Sequence, residues 1–387
     1  MGSNRGLPRR QLCPTENLTL RQGFGIRRPS RTSPLPDQLL SVPPHLYTTT
    51  VNAMAPLNFG IIGTSWITDS YIECAQATGK WNLAAVYSRT EESAKKFAAK
   101  YESQKVALYT DLNKLVNDSN LSAIYIASPN ILHYEQAKLA LNAGKHVILE
   151  KPSCSTVPEL DNLFKIAREK DVFLIEAFRH IQEANFKTLK KSIKDLGAIF
   201  GASITFAQYS SRYEAVLAGE TPNIFNLEMG GGALVDLGVY CVSAAVNLFG
   251  APKDAKYWPN IIATGADGGG RLILDYGDFV VHLCHSKTYN SDAPSEIYGE
   301  KGTLIVPTIT DIETVTLWDP KTKKRTQLAG PETRVKLNLQ EEAEEQARVI
   351  NSRDREAEKH YETLSRDILK VLEKVRKDNG LLYPGEK

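Results

Sequence analysis

From residue 58 the chain alternates short apolar runs with stretches of helical period. The runs at 58–63, 83–87, 123–127, 146–149 and 172–175 read as strands, and 66–77, 91–101, 134–142 and 157–169 read as helices. Strands separated by helices of roughly 10–15 residues predict βαβ units and a parallel sheet. The strands are apolar throughout, as a sheet covered on both faces requires.

After residue 185 the texture changes. A helix to about residue 196 leads into strand-like runs at 202–209, 254–264, 271–276, 279–285, 295–298, 303–306 and 314–318, interrupted by one helix at 233–249. Turn residues such as Tyr276-Gly277-Asp278 and Asp319-Pro320 predict a large, open, mostly antiparallel sheet. Charged helices at 339–350 and 356–377 end the chain. The expected class is therefore α/β: a Rossmann domain over 54–180 and an α+β substrate and oligomerisation domain over 181–387.

Residues 1–53 stand apart. They hold seven arginines, no lysine, only Glu16 and Asp37 as acids, and many prolines, with no apolar period. Arg-rich, acid-poor composition suits a transit segment, which would make the protein mitochondrial, but prolines interrupt the amphipathic helix such a segment needs. A disordered extension, or translation beginning at Met54, is the competing expectation, with a cytoplasmic protein.

Composition narrows the picture further. The 387 residues are 42% apolar and 24% charged, with a net charge of +2, which gives no reason to expect nucleic acid or a membrane. No run approaches the roughly 18–20 apolar residues of a spanning helix. Five scattered cysteines show no metal or disulfide spacing, and reduced thiols are expected. His282, Cys284 and His285 lie in a strand whose alternate residues face opposite sides, so no metal site is expected there.

The turn Gly60-Ile61-Ile62-Gly63-Thr64-Ser65-Trp66-Ile67-Thr68 joins the first strand to the first helix, where a Rossmann fold places its phosphate loop. Only Gly63 of three fingerprint glycines is present; Ser65 and Thr68 hold the other positions. Gly63, Thr64, Ser65, Trp66 and Ile67 are the expected pyrophosphate contacts. The second strand ends Ser88-Arg89, with no carboxylate until Glu91. Serine and arginine suit a 2′-phosphate, which favours NADP over NAD.

Two further stretches carry a family resemblance. Ala127-Ser128-Pro129-Asn130, then His133, leads through Gly144-Lys145-His146-Val147 to Glu150-Lys151-Pro152; later, Gly230-Gly231-Gly232 opens a helix bearing Asp236 and Tyr240. Over residues 58–330 the chain resembles the Gfo/Idh/MocA oxidoreductases (glucose–fructose oxidoreductase, inositol dehydrogenase). With Tyr240 where many members have histidine, it is similar to the tyrosine-bearing branch, which includes dimeric dihydrodiol dehydrogenases and NADP-dependent xylose dehydrogenases.

The resemblance implies an NADP-dependent oxidoreductase acting at a hydroxyl or carbonyl carbon of a sugar, polyol or dihydrodiol. It adds Ser128, Asn130, His133, Glu150, Lys151 and Pro152 to the cofactor contacts, with Lys151 beside the substrate hydroxyl. Relatives often pair through the sheet face, which implies a homodimer or tetramer. Lys151 lies at the C-terminal edge of the expected parallel sheet, where ligands bind. Asp236 and Tyr240 are four apart and share a helix face. A free tyrosine, with a pKa near ~10, is a poor base at neutral pH, and an adjacent cation favours its phenolate. Tyr240 is thus the expected acid/base, Lys151 its electrostatic partner, and Asp236 orients Lys151 or a substrate hydroxyl. Glu176, Arg179 and His180 are expected to line the cleft, and Arg212 and Asn223 to touch substrate. The family also holds non-catalytic dinucleotide-binding regulators, and a secondary-metabolite tailoring dehydrogenase would share these residues.

Overall fold

The structure, a computed structural model, describes residues 55–101 and 105–386. The expectations for residues 1–53, Met54 and Cys13 lie outside the described residues.

The first half runs through β1 (Leu57–Ile62), α1 (Trp66–Ala77), β2 (Trp81–Tyr87), α2 (Glu91–Ala98), β3 (Ala107–Tyr109), α3 (Leu112–Val116), β4 (Ala123–Ile126), α4 (His133–Asn142) and β5 (His146–Glu150). α5 (Val157–Glu169) and β6 (Leu174–Ala177) complete it. The sheet is parallel throughout, in the order β3-β2-β1-β4-β5-β6. The chain reverses its direction of travel between β1 and β4, the crevice where open α/β sheets bind ligands. Local chemistry fixes the helix starts. Thr156 accepts from the Glu159 amide while the Glu159 carboxylate accepts from Thr156, a reciprocal cap worth about 1 kcal/mol.

The second half adds α6 (Arg179–Gln182), α7 (Ala184–Ser192), β7 (Ile199–Ala207), α8 (Tyr213–Leu217) and α9 (Val239–Phe249). Then come β8 (Asp254–Ile261), β9 (Asp267–Asp275), β10 (Val280–Ser286), β11 (Ser295–Gly299), β12 (Gly302–Val306), β13 (Val315–Asp319) and β14 (Lys324–Ala329). Their order is β14-β13-β12-β11-β7-β10-β9-β8, antiparallel except where β10 runs beside β7. The inner face packs Ile204, Leu272, Leu274, Val281 and Leu283 against Val242, Ala245 and Val246 of α9. Each such large side chain contributes roughly 1.5–3 kcal/mol of burial.

The two sheets match the expected class, with differences. Of the C-terminal helices, α10 (Gln340–Ser352) returns to the first sheet, where Ala343, Ala347 and Ile350 pack with Tyr71 and Phe173. α11 (Arg355–Asp378) packs on α9 but also on α5 and β6. Residues 227–249 are long and apolar enough to cross a membrane, contrary to the reading above, yet they are mostly buried in this fold. A helix covered on all sides is apolar on all sides.

Candidate active site

Four loops meet at the C-terminal edge of neighbouring strands: after β1, β2, β4 and β5. After β1, Gly63 has φ +105, and a Cβ there would lie 2.4 Å from the Ala127 carbonyl oxygen. The glycine is required by the chain's own close approach of β1 to β4 as well as by the turn. Thr64, Ser65 and Trp66 are exposed, and the Ser65 side chain makes no capping bond to the α1 amides, so the first turn keeps open donors. Ile67 instead leans on the core. After β2, Arg89 is exposed and makes no hydrogen bond or ion pair among the described residues; Ser88 is half-buried. Open amides, a free hydroxyl and a free guanidinium fit a dinucleotide carrying a 2′-phosphate.

Beyond β5 the texture is the opposite. The Lys151–Pro152 peptide is cis. Lys151 Nζ donates to the Asp236 carbonyl (2.9 Å) and to Asp236 Oδ1 (3.1 Å), and lies 4.7 Å from the Tyr240 ring centroid. Burial opposes its charge, but Tyr240, Asp236 and Glu150 outweigh burial and hold the ammonium above the ordinary lysine range. The second Asp236 oxygen pairs with Lys287, which follows β10. Burial would raise the Asp236 carboxyl, yet the two lysines keep it well below the carboxylate range. Both Asp236 oxygens are thus engaged by lysines. The Tyr240 ring meets His180 edge-on at 5.2 Å and Phe206 at 5.4 Å, while its half-buried hydroxyl has no hydrogen-bond partner among the described residues.

The segment holding Asp236 is π-helical over Leu234–Gly238, not α-helical as the four-residue spacing presumed. Single π-turns recur at functional sites. Its first free amide, Leu234 N, donates to buried Asp267 Oδ2 at 2.6 Å, which also accepts from Tyr257 at 2.8 Å. Gly232, at φ +137, brings the chain within 2.3 Å of Asp267 for any added Cβ. A buried polar clamp thus fixes the start of the segment that carries Asp236 and Tyr240. His285 belongs to this clamp through Tyr257 (3.1 Å), whereas His282 is exposed.

Several expected contacts already have partners within the fold. Buried His133 has its ring nitrogens 2.9 Å from the carbonyls of Pro152 and Ser128, stitching the β4 and β5 loops together. Burial lowers its pKa. Ser128 donates its hydroxyl to Gln136 (2.7 Å), and Asn130 donates to the Gly230 carbonyl (2.8 Å). Glu150 turns inward to accept from Tyr125 (2.7 Å), and burial raises its pKa. Glu176, also expected at the cleft, is buried and accepts from the Ser153 amide at 2.8 Å; burial pushes its pKa up to about 7. His180 is fully buried against Ser243 (3.0 Å), and burial, then Arg179 and Lys151, push its pKa down to about 3. Its ring packs edge-on against Tyr240. Arg212 and Asn223 are exposed and make no hydrogen bond or ion pair with Lys151, Asp236 or Tyr240 among the described residues. Sequence reading missed Lys287, whose only signal is a lysine directly after an apolar strand.

Comparison with known proteins gives the same frame. Residues 57–178 match an oxidoreductase family with an NAD-binding Rossmann fold, and residues 186–305 match the GFO/IDH/MocA C-terminal domain. The chain is 39% identical to scyllo-inositol 2-dehydrogenase (NADP(+)) IolU of Bacillus subtilis, over 85% of this chain and 99% of that protein. It is 25% identical to a trans-1,2-dihydrobenzene-1,2-diol dehydrogenase of Danio rerio, over 78% and 90%. The fold matches KijD10, a 3-ketoreductase from Actinomadura kijaniata solved with NADP and TDP-benzene, at a TM-score of 0.70 and 22% identity over 83% and 97% of the two chains. The chain belongs to the Gfo/Idh/MocA family of oxidoreductases.

Proposed function

We propose that the protein is an NADP-dependent oxidoreductase acting on a hydroxyl or carbonyl carbon of a sugar, polyol or dihydrodiol-like substrate. The observation that carries this reading is a tyrosine hydroxyl without a partner among the described residues, on a ring that faces a lysine whose charge is fixed by a half-buried carboxylate. The relatives lend support: the Bacillus subtilis protein is named for NADP(+) and scyllo-inositol, the Danio rerio protein for a dihydrodiol.

Bound NADP accepts a hydride in the oxidative direction and NADPH returns one in the reductive. The backbone at Gly63 to Trp66 would hold the pyrophosphate, and Ser88 and Arg89 would hold the 2′-phosphate. In the oxidative direction Tyr240 acts as the phenolate, whose Oη takes the proton of the substrate hydroxyl and becomes the phenol; in the reductive direction the phenol gives that proton back. The Lys151 ammonium stands where negative charge develops on oxygen, and Asp236 keeps it there. Preorganised charge of this kind supplies roughly 10²–10³ in rate.

The exposed face of the second sheet presents Phe200, Trp258, Val280 and Tyr298. Apolar side chains gathered on one open face suit a homodimer whose copies cover each other. The reduced cysteines, four of them free among the described residues, suit a cytoplasmic enzyme.

The test is a fluorescence screen for NADPH across aldoses, polyols including scyllo-inositol, and trans-dihydrodiols, with NAD run in parallel. Turnover preferring NADP supports the reading. Tight NADP binding with no turnover on any compound would make the chain a dinucleotide-binding regulator.

A further inference from the structure

Asp236 is one of two carboxylates near Tyr240 that are each shared by two cations. The other is Asp311, in the loop between β12 and β13. Asp311 accepts from Arg179 through Oδ2 at 2.7 Å and from Arg334 through Oδ1 at 3.1 Å. Arg179 opens α6, directly after the first sheet, and its guanidinium carbon lies 5.6 Å from the Tyr240 ring centroid. The tyrosine therefore has two cations over its ring, each fixed by its own anion.

The Arg179 arm is built with care. Asp311 has φ +54, a left-handed conformation that a non-glycine residue adopts only when its surroundings impose it. Glu183 imposes it, since its two carboxylate oxygens accept the amides of Asp311 and Ile312, both at 2.8 Å. Glu183 stands one turn after Arg179, and its Oε1 lies 3.7 Å from the guanidinium. The short helix α6 thus carries the arginine, and the residue that ends it, Glu183, grips the loop which orients that arginine. One guanidinium nitrogen, buried Nη1, makes no hydrogen bond. A side chain 12% exposed has little surface to offer substrate.

We propose that Arg179 is a positioning residue for the reaction: it fixes the Tyr240 ring and adds a second positive charge beside the oxygen that gains and loses the proton. This rests on the role given to Tyr240 above. His180, Lys151 and Asp236 are the other polar groups around that tyrosine. Arg179 and Lys151 are the cations that lie over its ring among the described residues, and burial, then Arg179 and Lys151, hold His180 neutral.

The test is steady-state kinetics on the most active compound of the screen, scyllo-inositol first, with NADPH affinity measured by fluorescence. Arg179→Met is expected to lower kcat about 10²-fold, with KM and NADPH affinity changed less than about twofold. Arg179→Lys, which keeps the charge, should recover at least about tenfold of that loss. In a Tyr240→Phe background, Arg179→Met should cost almost nothing more, because the two act as one unit. A raised KM at wild-type kcat would make Arg179 a substrate contact and overturn the proposal. Equal loss in the Met and Lys variants with a lowered Tm would make it structural, with the same result. An inactive Tyr240→Phe beside a fully active Arg179→Met sinks this inference alone. A fully active Tyr240→Phe, or a wild type that turns over nothing, sinks the reading beneath it.

Discussion

The loop after β1 and the turn after β5 lie two strands apart in one sheet, yet their polar groups are treated in contrary ways. Ser65 makes no capping bond, Thr64 and Trp66 are exposed, and Arg89 beyond β2 makes no ion pair among the described residues. Around Lys151, by contrast, most polar groups are already matched: Asp236 by two lysines, Glu150 by Tyr125, His133 by two carbonyls, Glu176 by the Ser153 amide. The Tyr240 hydroxyl has no hydrogen-bond partner among the described residues. A surface left open awaits a ligand that supplies its partners, whereas a centre already closed has its charges fixed before substrate arrives. Preorganisation of that second kind makes electrostatics effective in a transition state, since nothing must reorient during the reaction.

The contrast predicts which variants lose rate and which lose affinity. Lys151→Met should have the largest effect outside the tyrosine: kcat falls about 10²–10³-fold, with NADPH affinity nearly unchanged in a fluorescence titration. An equal loss of NADPH affinity would erase the distinction between the two ends. Arg89→Ala should act in the other sense. Losing a charge-assisted bond worth about 1.5–3 kcal/mol should raise the KM for NADP roughly 10- to 100-fold while kcat and the KM for NAD hold steady. An unchanged preference between NADP and NAD would remove Arg89 from the site.

Glu176→Gln tests the closed end without touching the chemistry. Burial holds this carboxyl protonated up to about pH 7, above its unfolded value near 4.3. Its contribution to stability is therefore present below the unfolded pKa and is lost as pH rises through 7. Glutamine can still accept from the Ser153 amide and never ionises. The variant should match the wild-type Tm at pH 5 and exceed it by a few degrees at pH 8. A constant difference across that range would mean that Glu176 does not titrate there.

The parallel sheet was legible because its strands are apolar on both faces, and Lys151 because its tripeptide follows one of them. β14 was not legible: Lys324 to Leu328 are all exposed, so no alternation betrays an edge strand that is polar on both sides. β3, three residues long, carries too little pattern to detect. At the site, the order of Lys151, Asp236 and Tyr240 was readable, but the π-turn that carries Asp236 was not, since α and π segments share the same apolar residues. Lys287 and Asp311 reach their partners across 51 and 132 positions of sequence, and only the second sheet's topology brings them near. The same limit explains His133 and His180. Sequence placed them close to the cleft, but their burial is decided by tertiary packing.

The central claim is that Tyr240 moves the substrate proton in a centre whose other charges are already set. It is tested most directly by Tyr240→Phe, measuring hydride transfer and NADPH binding on the same preparation. The account predicts a fall in kcat of at least about 10²-fold, as expected for loss of a general acid/base, with NADPH affinity and Tm at wild-type values. Wild-type turnover in that variant would contradict it.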